Sequence, residues 1–323
     1  MRIGIFGAAS DSQTQVLVRE ATALGVDSVI IENEALAQGE PLSFEDGSTW
    51  YRRQCLDDLR GFFLRFIPLP HVPTMERDDE LVLYEDWYVR YMHSREHASV
   101  FLAWLLKLQH QEGTLLVNPP QAASVLQLKP YQLDALRSVG AAVPRTLISN
   151  DPERVRAFHA QVKHVIYKPV MGGAITRMLD EEALEGLEAI TGSPVIFQER
   201  VPGDDLRVML VGQEIVSSVA IVTPEQHLDF RADPAYSSGE ASYREVKLPA
   251  AVAEQCRKAA RLCGLHFAGI DIKHQGDRYV FLELNSSPMY YDVEYKLGHP
   301  ITAALARYLV EGVRAPLSTS SRG

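Results

Sequence analysis

The sequence predicts an α/β protein with an N-terminal parallel α/β domain followed by two α+β lobes. The opening "RIGIFGAAS", the helical spacing after it and the strand "VDSVIIE" form one strand–helix–strand unit. Farther along, apolar strands such as "HVIYKP" and "PVIFQE" alternate with short helical patterns, and "AGIDIKHQGDRYVFLELN" reads as two strands joined by a turn. A chain of 323 residues is long enough for about two domains, or for one large domain with lobes.

Composition limits the partners of this protein. Hydrophobic residues make up 46% of the chain, and the net charge of −10 argues against broad contact with nucleic acid or with an anionic membrane. The three cysteines form no CxxC pair, so neither a disulfide nor a zinc cluster is expected. The first apolar stretch is too short for a signal peptide, and "SVFLAWLLKL" is too short for a membrane span. We therefore expect a cytoplasmic protein that binds no nucleic acid and no membrane.

The first hundred residues carry two weak motifs. The turn after the first strand reads GxxxxS, which differs from the GxGxxG of dinucleotide sites and favours a plain tight turn. Residues 64–74 form a proline-punctuated loop, and residues 79–111 predict one or two long helices. Within them "HSREH" matches the HxxEH pattern of some zinc proteases, but no third ligand is evident, and a solvated helix face is the favoured interpretation.

A chain break at Asn118-Pro119-Pro120 opens the next region. A helix ends at Gly140, a strand follows Pro144, and Asp151 caps a further helix. Later patterns predict a strand pair turning at residues 212–213, a helix over 249–265, and a last helix over about 300–311. The predicted domains are 1–117, 118–195 and 196–312, followed by a flexible tail over 313–323.

The last strand pair holds a candidate metal site. Asp271 lies in its first strand, while Glu283 and Asn285 lie on one face of the second if the side chains alternate regularly. Three oxygen donors without thiol or imidazole suit a hard ion such as magnesium. An even-numbered turn directs Asp271 away from Glu283, whereas an odd turn or a bulge places them together. The alternative is that a local hydrogen bond satisfies Asp271 and that a nearby arginine pairs with Glu283.

Two lysines are candidates for phosphate binding. Lys168 ends an apolar strand just before Gly172 and Gly173, where backbone amides can approach phosphate oxygens. Lys129 opens a helix, where a bound anion would offset the unfavourable interaction of a cation with the helix dipole. The simpler interpretations are an ordinary glycine turn and a solvated lysine.

The stretch "FQERVPGDDLRVMLVG" is the third candidate segment. Its strand delivers Gln198, Glu199 and Val201, and backbone exposed at the end of a strand can pair with an adenine edge. Asp205 and Arg207 are two residues apart, so an extended chain places them on the same side, where they could contact ribose and phosphates.

Taken in order, Lys129, "YKPVMGGA", "QERVPGDDLRV", "AGIDI" and "FLELNSSP" resemble the motifs of the ATP-grasp carboxylate-amine ligases, in the branch of glutathione synthetase and the RimK-type glutamate ligases. The resemblance covers roughly residues 118–309, and residues before it look only generically like the domain that precedes the ATP-grasp lobes. It implies an enzyme that activates a carboxylate as an acyl phosphate with ATP and joins it to an amine.

The resemblance also implies a role for each motif residue. By this resemblance, the residues that contact the phosphates would be Lys129, Lys168 and the Gly172–Gly173 loop. Adenine would be contacted by Gln198, Glu199 and Val201, and the ribose by Asp205. Arg207 would stabilise the transferred phosphoryl group, and Arg231 would hold the acyl phosphate or the incoming carboxylate. The implied cofactors are ATP and magnesium, held by Asp271, Glu283 and Asn285, with manganese as a substitute.

The implied partners are a small-molecule or peptide carboxylate, an amine and a second copy of the chain. The chain departs from the family pattern after its metal strand, where "NSSPMYYDVEY" offers Tyr290, Tyr291 and Glu294 to a different acceptor pocket. That pattern is nearer to enzymes that modify ribosomally made precursor peptides by linking acidic side chains to Lys or to Ser and Thr. A kinase acting on a hydroxyl and a non-catalytic nucleotide-binding regulator are the alternatives.

Overall fold

A computed structural model of the chain describes residues 2–32, 36, 40–65, 80–171, 175–223 and 228–314. The described residues form two compact units, the first within Met1–Ala123 and Thr302–Gly323 and the second within Ser124–Ile301. Most of the predicted proline loop, the predicted glycine loop at Gly172 and Gly173, and the tail beyond residue 314 lie outside the described residues. The predicted division at residues 117, 195 and 312 stays a prediction.

The first unit is built on a parallel sheet, as predicted. Its strands β1 (Arg2–Phe6), β2 (Asp27–Ile31), β6 (Leu59–Leu64) and β7 (Leu115–Val117) lie in the order β2-β1-β6-β7. The helices of this unit are α1 (Ser12–Ala23), α2 (Glu80–His110), α3 (Pro120–Ala123) and α10 (Ile301–Arg314), of which α10 begins at the boundary residue. A small antiparallel sheet of β3 (Leu42–Glu45), β4 (Ser48–Tyr51) and β5 (Gln54–Cys55) was not predicted, because its strands are short and mostly polar.

Helix α2 supplies the aromatic core of the first unit. Phe101 stacks on Phe6 at 4.2 Å between ring centroids, and Trp104 meets the ring of Phe62 edge-on at 5.2 Å. The "HSREH" histidines, His93 and His97, are exposed on this helix. Their exposure agrees with the solvated-face interpretation of this motif.

The second unit contains two antiparallel sheets. The first has the order β10-β9-β11-β8, with β8 (Thr146–Ser149), β9 (Val165–Pro169), β10 (Arg177–Met178) and β11 (Val195–Glu199). The second has the order β14-β13-β12-β15-β16, with β12 (Asp204–Val211), β13 (Glu214–Val222), β14 (Ser242–Glu245), β15 (Phe267–Gln275) and β16 (Arg278–Asn285). These sheets are the two predicted α+β lobes, so the predicted fold class is confirmed.

The helices of the second unit begin and end largely where the sequence predicts. They are α4 (Lys129–Ser138), α5 (Pro152–Val162), α6 (Glu181–Glu185), α7 (Pro234–Ser237), α8 (Ala250–Leu262) and α9 (Tyr291–Leu297), with short 3₁₀ turns at Ser124–Gln127, Leu187–Gly192 and Phe230–Ala232. Asp151 caps α5 by accepting hydrogen bonds from the amides of Glu153 and Arg154. Gly140 follows α4 with a φ of +77°, a conformation that favours glycine at this position.

The described residues include no helix that combines the length and the apolar character needed to cross a bilayer.

Candidate active site

A cavity of about 300 Å³ lies within the second unit, between its two antiparallel sheets. The predicted site residues that line it are Lys168, Gln198, Glu199, Val201, Asp205, Arg207, Arg231, Asp271, Glu283 and Asn285. Lys129 reaches the same place through its contact with Glu283. Residues from five separate stretches of sequence therefore meet at one site.

A β-bulge brings the predicted metal ligands together. Asp271 is directly opposite Glu283 in the β15–β16 register, but the next residue, Ile272, is opposite Phe281. The extra residue, Leu282, shifts the pleat by one position and places Asp271 and Glu283 on the same face. This is the bulged alternative. The regular alternation assumed through β16 is wrong, because Phe281 is turned into the core and Leu282 lines the cavity.

Asp271 forms a two-pronged ion pair with Arg207. Arg207 lies opposite Asp271 on the neighbouring strand, and its Nε and Nη2 donate to Oδ1 and Oδ2 of Asp271 at 2.9 and 3.0 Å. Burial alone would lower the pKa of the Arg207 guanidinium, but the Asp271 carboxylate raises it above its ordinary value. The amide Nδ2 of Asn285 donates to Oδ2 of Asp271 at 3.1 Å, which leaves the Asn285 carbonyl oxygen as its electron-pair donor.

Glu283 forms an ion pair with Lys129, which is mostly buried. Helix α4, which begins at Lys129, is fastened to β16 by Gln132, whose Oε1 accepts from the amide of Leu284 at 2.9 Å. Burial alone would raise the pKa of Glu283, but the ammonium groups of Lys129 and Lys168 lower it to about 2. A solvated Lys129 and an arginine partner for Glu283 are therefore both wrong.

Lys168 differs from the other cations of the cavity. Its half-buried ammonium makes no ion pair with any carboxylate in the described part of the chain, and burial lowers its pKa. Glu283 attracts this cation without forming an ion pair with it, so the position suits a directly bound anion.

The ends of β12 and β15 carry a second ion pair. Asp205 lies opposite Lys273, and Nζ of Lys273 is 2.8 Å from Oδ2 of Asp205. The sequence reasoning missed Lys273, although its position two residues after Asp271 places it on the same face of β15.

Arg231 is held by a carboxylate that was also missed. Asp229, which is 8% exposed, accepts from Nε and Nη2 of Arg231 at 2.8 and 2.6 Å and from Thr176. Burial alone would raise the pKa of Asp229, but the contacts with Arg231 and Thr176 lower it to about 2. The Arg231 side chain is 49% exposed, so Arg231 is a surface residue whose guanidinium also pairs with Asp229 and lines the cavity. The pattern "DFR" was the available signal for Asp229.

The segment proposed for adenine joins the two sheets. Gln198 is buried and donates through Nε2 to Oγ1 of Thr146 at 3.0 Å, so its side chain supports the sheet. The amides of Glu199 and Arg200 donate to the carbonyl oxygens of Arg145 and His164. Val201 follows at the cavity wall.

The aromatic residues after β16 divide between the core and the surface. Tyr290 is 1% exposed and meets the ring of Phe267 edge-on at 5.5 Å, so the prediction that it shapes an acceptor pocket is wrong. Tyr291 and Glu294 are partly exposed on α9, where Tyr291 stacks on Tyr295.

The donor set fits magnesium that is shared with a phosphate ligand. Asp271 and Glu283 are adjacent carboxylates, and Asn285 adds an amide oxygen. Among the described residues there is no cluster of three or more His, Cys, Asp or Glu of the kind that holds a metal unaided. Magnesium commonly binds through one or two carboxylates together with water and substrate phosphates, which is the kind of set present here.

The fold and the cavity define a protein of the ATP-grasp class, and the relatives of the chain agree. Residues 127–309 match the RimK-like ATP-grasp domain, so the chain belongs to the RimK-like ATP-grasp family. It is an ATP-dependent ligase that joins a carboxylate to an amine, and it uses ATP with magnesium.

Similar sequences include a probable alpha-L-glutamate ligase of Teredinibacter turnerae, 26% identical over 65% of this chain and 72% of that protein. A glutathione synthetase of Rhodopseudomonas palustris is 30% identical over 63% of this chain and 66% of its own length. The ATP-grasp ligase PsnB complexed with minimal precursor has a TM-score of 0.81 and 31% identity, covering 96% of this chain and 99% of its own. The macrocyclase MdnC of Microcystis aeruginosa MRC has a TM-score of 0.79 at 21% identity over 96% of this chain and 99% of its own, which shows the shared fold.

Proposed function

We propose that this ligase acts on a precursor peptide and joins a side-chain carboxylate of that peptide to an amine. The likeness to PsnB, a ligase whose structure holds a minimal precursor, extends over 96% of this chain at 31% identity and includes the first unit. The glutamate ligase and glutathione synthetase relatives match only 65% and 63% of it. The broader match therefore favours a peptide substrate.

The observation that carries the nucleotide assignment is the charge arrangement of the cavity. Asp205, Asp229, Asp271 and Glu283 each have a cationic partner, and Lys168 has no carboxylate partner within the described ranges. The cavity therefore presents an ammonium group that an anion would neutralise. A triphosphate supplies that anion.

In this proposal each motif residue has one task. Lys129 and Lys168 contact the phosphates, Gln198, Glu199 and Val201 form the adenine wall, and Asp205 accepts from the ribose hydroxyls. Arg207 stabilises charge on the transferred phosphoryl group, and Arg231 holds the substrate carboxylate or its acyl phosphate. Gly172 and Gly173 keep their proposed place over the phosphates, although they lie outside the described residues.

Asp271, Glu283 and Asn285 are the proposed magnesium ligands. Bound magnesium neutralises phosphate charge and orients the triphosphate. If Asp271 and Glu283 held a metal ion, Arg207 and Lys129 would lose their carboxylate partners and would be available to phosphate oxygens. The same side chains would then form internal ion pairs without ligands and ligand contacts with them.

The reaction needs alignment more than a protein nucleophile. A carboxylate oxygen of the substrate attacks the γ-phosphorus of ATP, and the bond to ADP breaks. The amine nitrogen then attacks the acyl carbon, phosphate leaves, and the amine loses a proton as the amide forms. Arg207 and Arg231 reduce the repulsion between the substrate carboxylate and the triphosphate.

Three further assignments belong to this proposal. Manganese can substitute for magnesium, because all three ligands are oxygen donors. The protein acts in the cytoplasm, which agrees with the free thiols of Cys55, Cys256 and Cys263. It forms a homo-oligomer, an assignment that rests on analogy with the family.

The decisive experiment pairs the enzyme with an acidic peptide encoded beside its gene. With ATP and magnesium, we expect ADP release together with loss of one water from the peptide mass. We expect Glu283→Gln to lower turnover on the order of 100-fold or more, because it removes a charged metal ligand. Arg244→Gln, which disrupts the exposed ion pair to Asp204, is the matched control and should keep wild-type turnover.

Other outcomes reject the proposal. Addition of phosphate to the peptide would indicate a kinase. If the enzyme turned over free glutamate and not the peptide, its substrate would be of the kind that glutamate ligases use. Nucleotide binding without turnover on peptides or amino acids would indicate a regulatory module.

A further inference from the structure

Lys273 is a cavity residue to which the proposed mechanism gives no task. It follows Asp271 by two positions in β15 and lies opposite Asp205 of β12, while Asp271 lies opposite Arg207. The two strands thus carry two successive ion pairs of reversed polarity along the cavity face. The pair beside the metal ligands contains Arg207, and the pair at the far end contains Lys273.

The contact between Lys273 and Asp205 is shielded from solvent. The side chains of Lys273 and Asp205 are 11% and 18% exposed, and their charged atoms are 2.8 Å apart. Separating an ion pair that is this well shielded costs free energy, because each partner would be left as an uncompensated charge. The two side chains therefore stay together. Lys273 therefore restricts Asp205 to a single orientation.

The same lysine also contacts the link between β11 and β12. Its Nζ lies 3.4 Å from the carbonyl oxygen of Gly203. Gly203 has a φ of +122°, and a β-carbon there would lie 2.3 Å from the carbonyl oxygen of His274. The segment between β11 and β12 therefore packs directly against β15. The contact with Lys273 holds this segment in place beside Val201 and Asp205.

Asp205 keeps one carboxylate oxygen for a ligand. Lys273 binds Oδ2, and Oδ1 makes no hydrogen bond to any other residue that the structure describes. Since each carboxylate oxygen has two acceptor sites, Asp205 can still accept from both hydroxyls of a ribose. Burial raises the pKa of Asp205, and the Lys273 ammonium acts in the opposite direction to favour the ionised acceptor.

We propose that Lys273 is a positioning residue that holds Asp205 against the ribose hydroxyls and thereby makes the site selective for ribonucleotides over deoxyribonucleotides. This inference rests on the proposed assignment of Asp205 to the ribose. It predicts a selective effect, because losing Lys273 should weaken recognition of the sugar and leave recognition of the phosphates intact.

The test compares ADP with 2′-deoxy-ADP by titration calorimetry on the full chain. We expect wild-type protein to bind ADP about 10- to 100-fold more tightly, the range for a hydrogen bond to a charged group. In Lys273→Met the ratio should fall to about threefold or less, because ADP loses two hydrogen bonds to Asp205 and 2′-deoxy-ADP, which has only the 3′-hydroxyl, loses one. Lys273→Arg should restore most of the ratio. A calorimetric readout does not depend on turnover.

Two further variants locate the effect. Asp205→Asn should lose the same discrimination, and adding Lys273→Met to it should produce no further loss, because the lysine acts through Asp205. Arg244→Met is the matched control, since it removes the exposed partner of Asp204, the neighbour of Asp205 in β12. Thermal unfolding verifies that each variant is folded, and Lys273→Gln replaces the methionine variant if that one is not.

The outcomes separate this inference from the proposed function. If Lys273→Met keeps the wild-type ratio while Asp205→Asn loses it, the inference is wrong and the ribose assignment stands. If Asp205→Asn also keeps the ratio, the ribose assignment itself fails. Additional loss in the double variant would show that Lys273 contacts the nucleotide directly, which contradicts a positioning role.

Discussion

Individual charges in this cavity are arranged so that each carboxylate has its own cation. Lys129 and Glu283 are 154 residues apart in sequence, yet they form a partly buried pair because Gln132 fastens the helix of one to the strand of the other. Arg207 and Asp271 meet across two neighbouring strands. Substituting one partner therefore changes both the local chemistry and the stability, and a conservative substitution is the cleaner test.

Arg207→Lys tests the need for a planar, two-pronged cation. The guanidinium donates two nearly parallel hydrogen bonds to Asp271 and a third, of 3.3 Å, to the carbonyl oxygen of Met289. A lysine ammonium cannot reproduce that fork. We expect turnover to fall on the order of 100-fold while ADP affinity stays within about tenfold of wild type.

Steady-state kinetics and calorimetry measure these two quantities. Arg244→Lys, at an exposed ion pair in the same sheet, is the control. If turnover and ADP affinity fell equally, Arg207 would be a binding residue and would have no special part in phosphoryl transfer.

Asp229 and Glu283 are two cavity carboxylates with a lowered pKa, and Asp229 allows the resulting acid dependence of stability to be tested away from the proposed metal ligands. Its pKa of about 2 is below the ordinary value of about 3.9, so its ionised form stabilises the folded chain above about pH 4. That stabilisation, about 2 kcal/mol, is lost as the pH falls from about 4 to 2. In Asp229→Asn this contribution is absent at every pH.

Urea unfolding from pH 6 to pH 2.5 tests the sign of this effect. We expect the stability gap between wild type and Asp229→Asn to be largest at pH 6 and to close toward pH 2.5. Arg231→Gln should flatten the wild-type dependence as well, because it removes the main cause of the low pKa. A gap that is constant with pH would contradict the assignment.

At the scale of elements, the β12–β15–β16 strands organise the site. Their register places Arg207, Asp271 and Glu283 side by side. The bulge at Leu282 is what brings Glu283 to the same face as Asp271. A strand pair joined only by its two-residue turn would direct Asp271 and Glu283 to opposite faces. The metal assignment therefore depends on one extra residue in β16.

Gly203→Ala tests how closely the link before β12 runs against β15. The change requires both a positive φ and space for a β-carbon that would overlap His274, so we expect a loss of at least about 2 kcal/mol. Gly276→Ala is the matched control, because its φ is +60° with no atom within 4 Å, and it should cost about 1 kcal/mol. Equal losses in chemical unfolding would show that His274 does not limit the link.

The order and type of most elements could be predicted from sequence, because periodicity and caps such as Asp151 and Gly140 are local signals. The bulge at Leu282 could not be predicted, since a bulge depends on pairing with the other strand. Asp229 and Lys273 were missed because each is defined by a partner, Arg231 or Asp205, and not by a motif. Tyr290 was misplaced because nothing in "MYYD" distinguishes a buried tyrosine from an exposed one.

At the scale of the whole molecule, nucleotide and magnesium binding should be strongly coupled. Asp271 and Glu283 already form ion pairs with Arg207 and Lys129, so a metal alone must compete with these two cations for the carboxylates. The phosphates of a nucleotide offer the two cations other anions to contact. We expect millimolar magnesium alone to leave the melting temperature almost unchanged, and ADP with magnesium to raise it by several degrees.

Removing the metal with EDTA should then weaken ADP binding by about tenfold or more. Thermal unfolding with each ligand alone and with both together measures the coupling. Glu283→Gln should abolish the additional stabilisation by magnesium. A shift from magnesium alone as large as the shift with nucleotide would contradict the coupling.

The last helix, α10, follows the second unit in the chain but packs in the first, where Leu309 lies against Gly61 and Gly312 against Leu115. During synthesis, the nucleotide-site unit, a single uninterrupted span, emerges from the ribosome before its companion has received that helix. The first unit cannot complete its core, and the surface that Leu305 and Leu309 cover stays exposed, until the 178 residues of Ser124–Ile301 have been translated. Truncated translation products that stop near residue 300 would thus carry a complete nucleotide-site unit beside an unfinished one, which makes them candidates for chaperone capture.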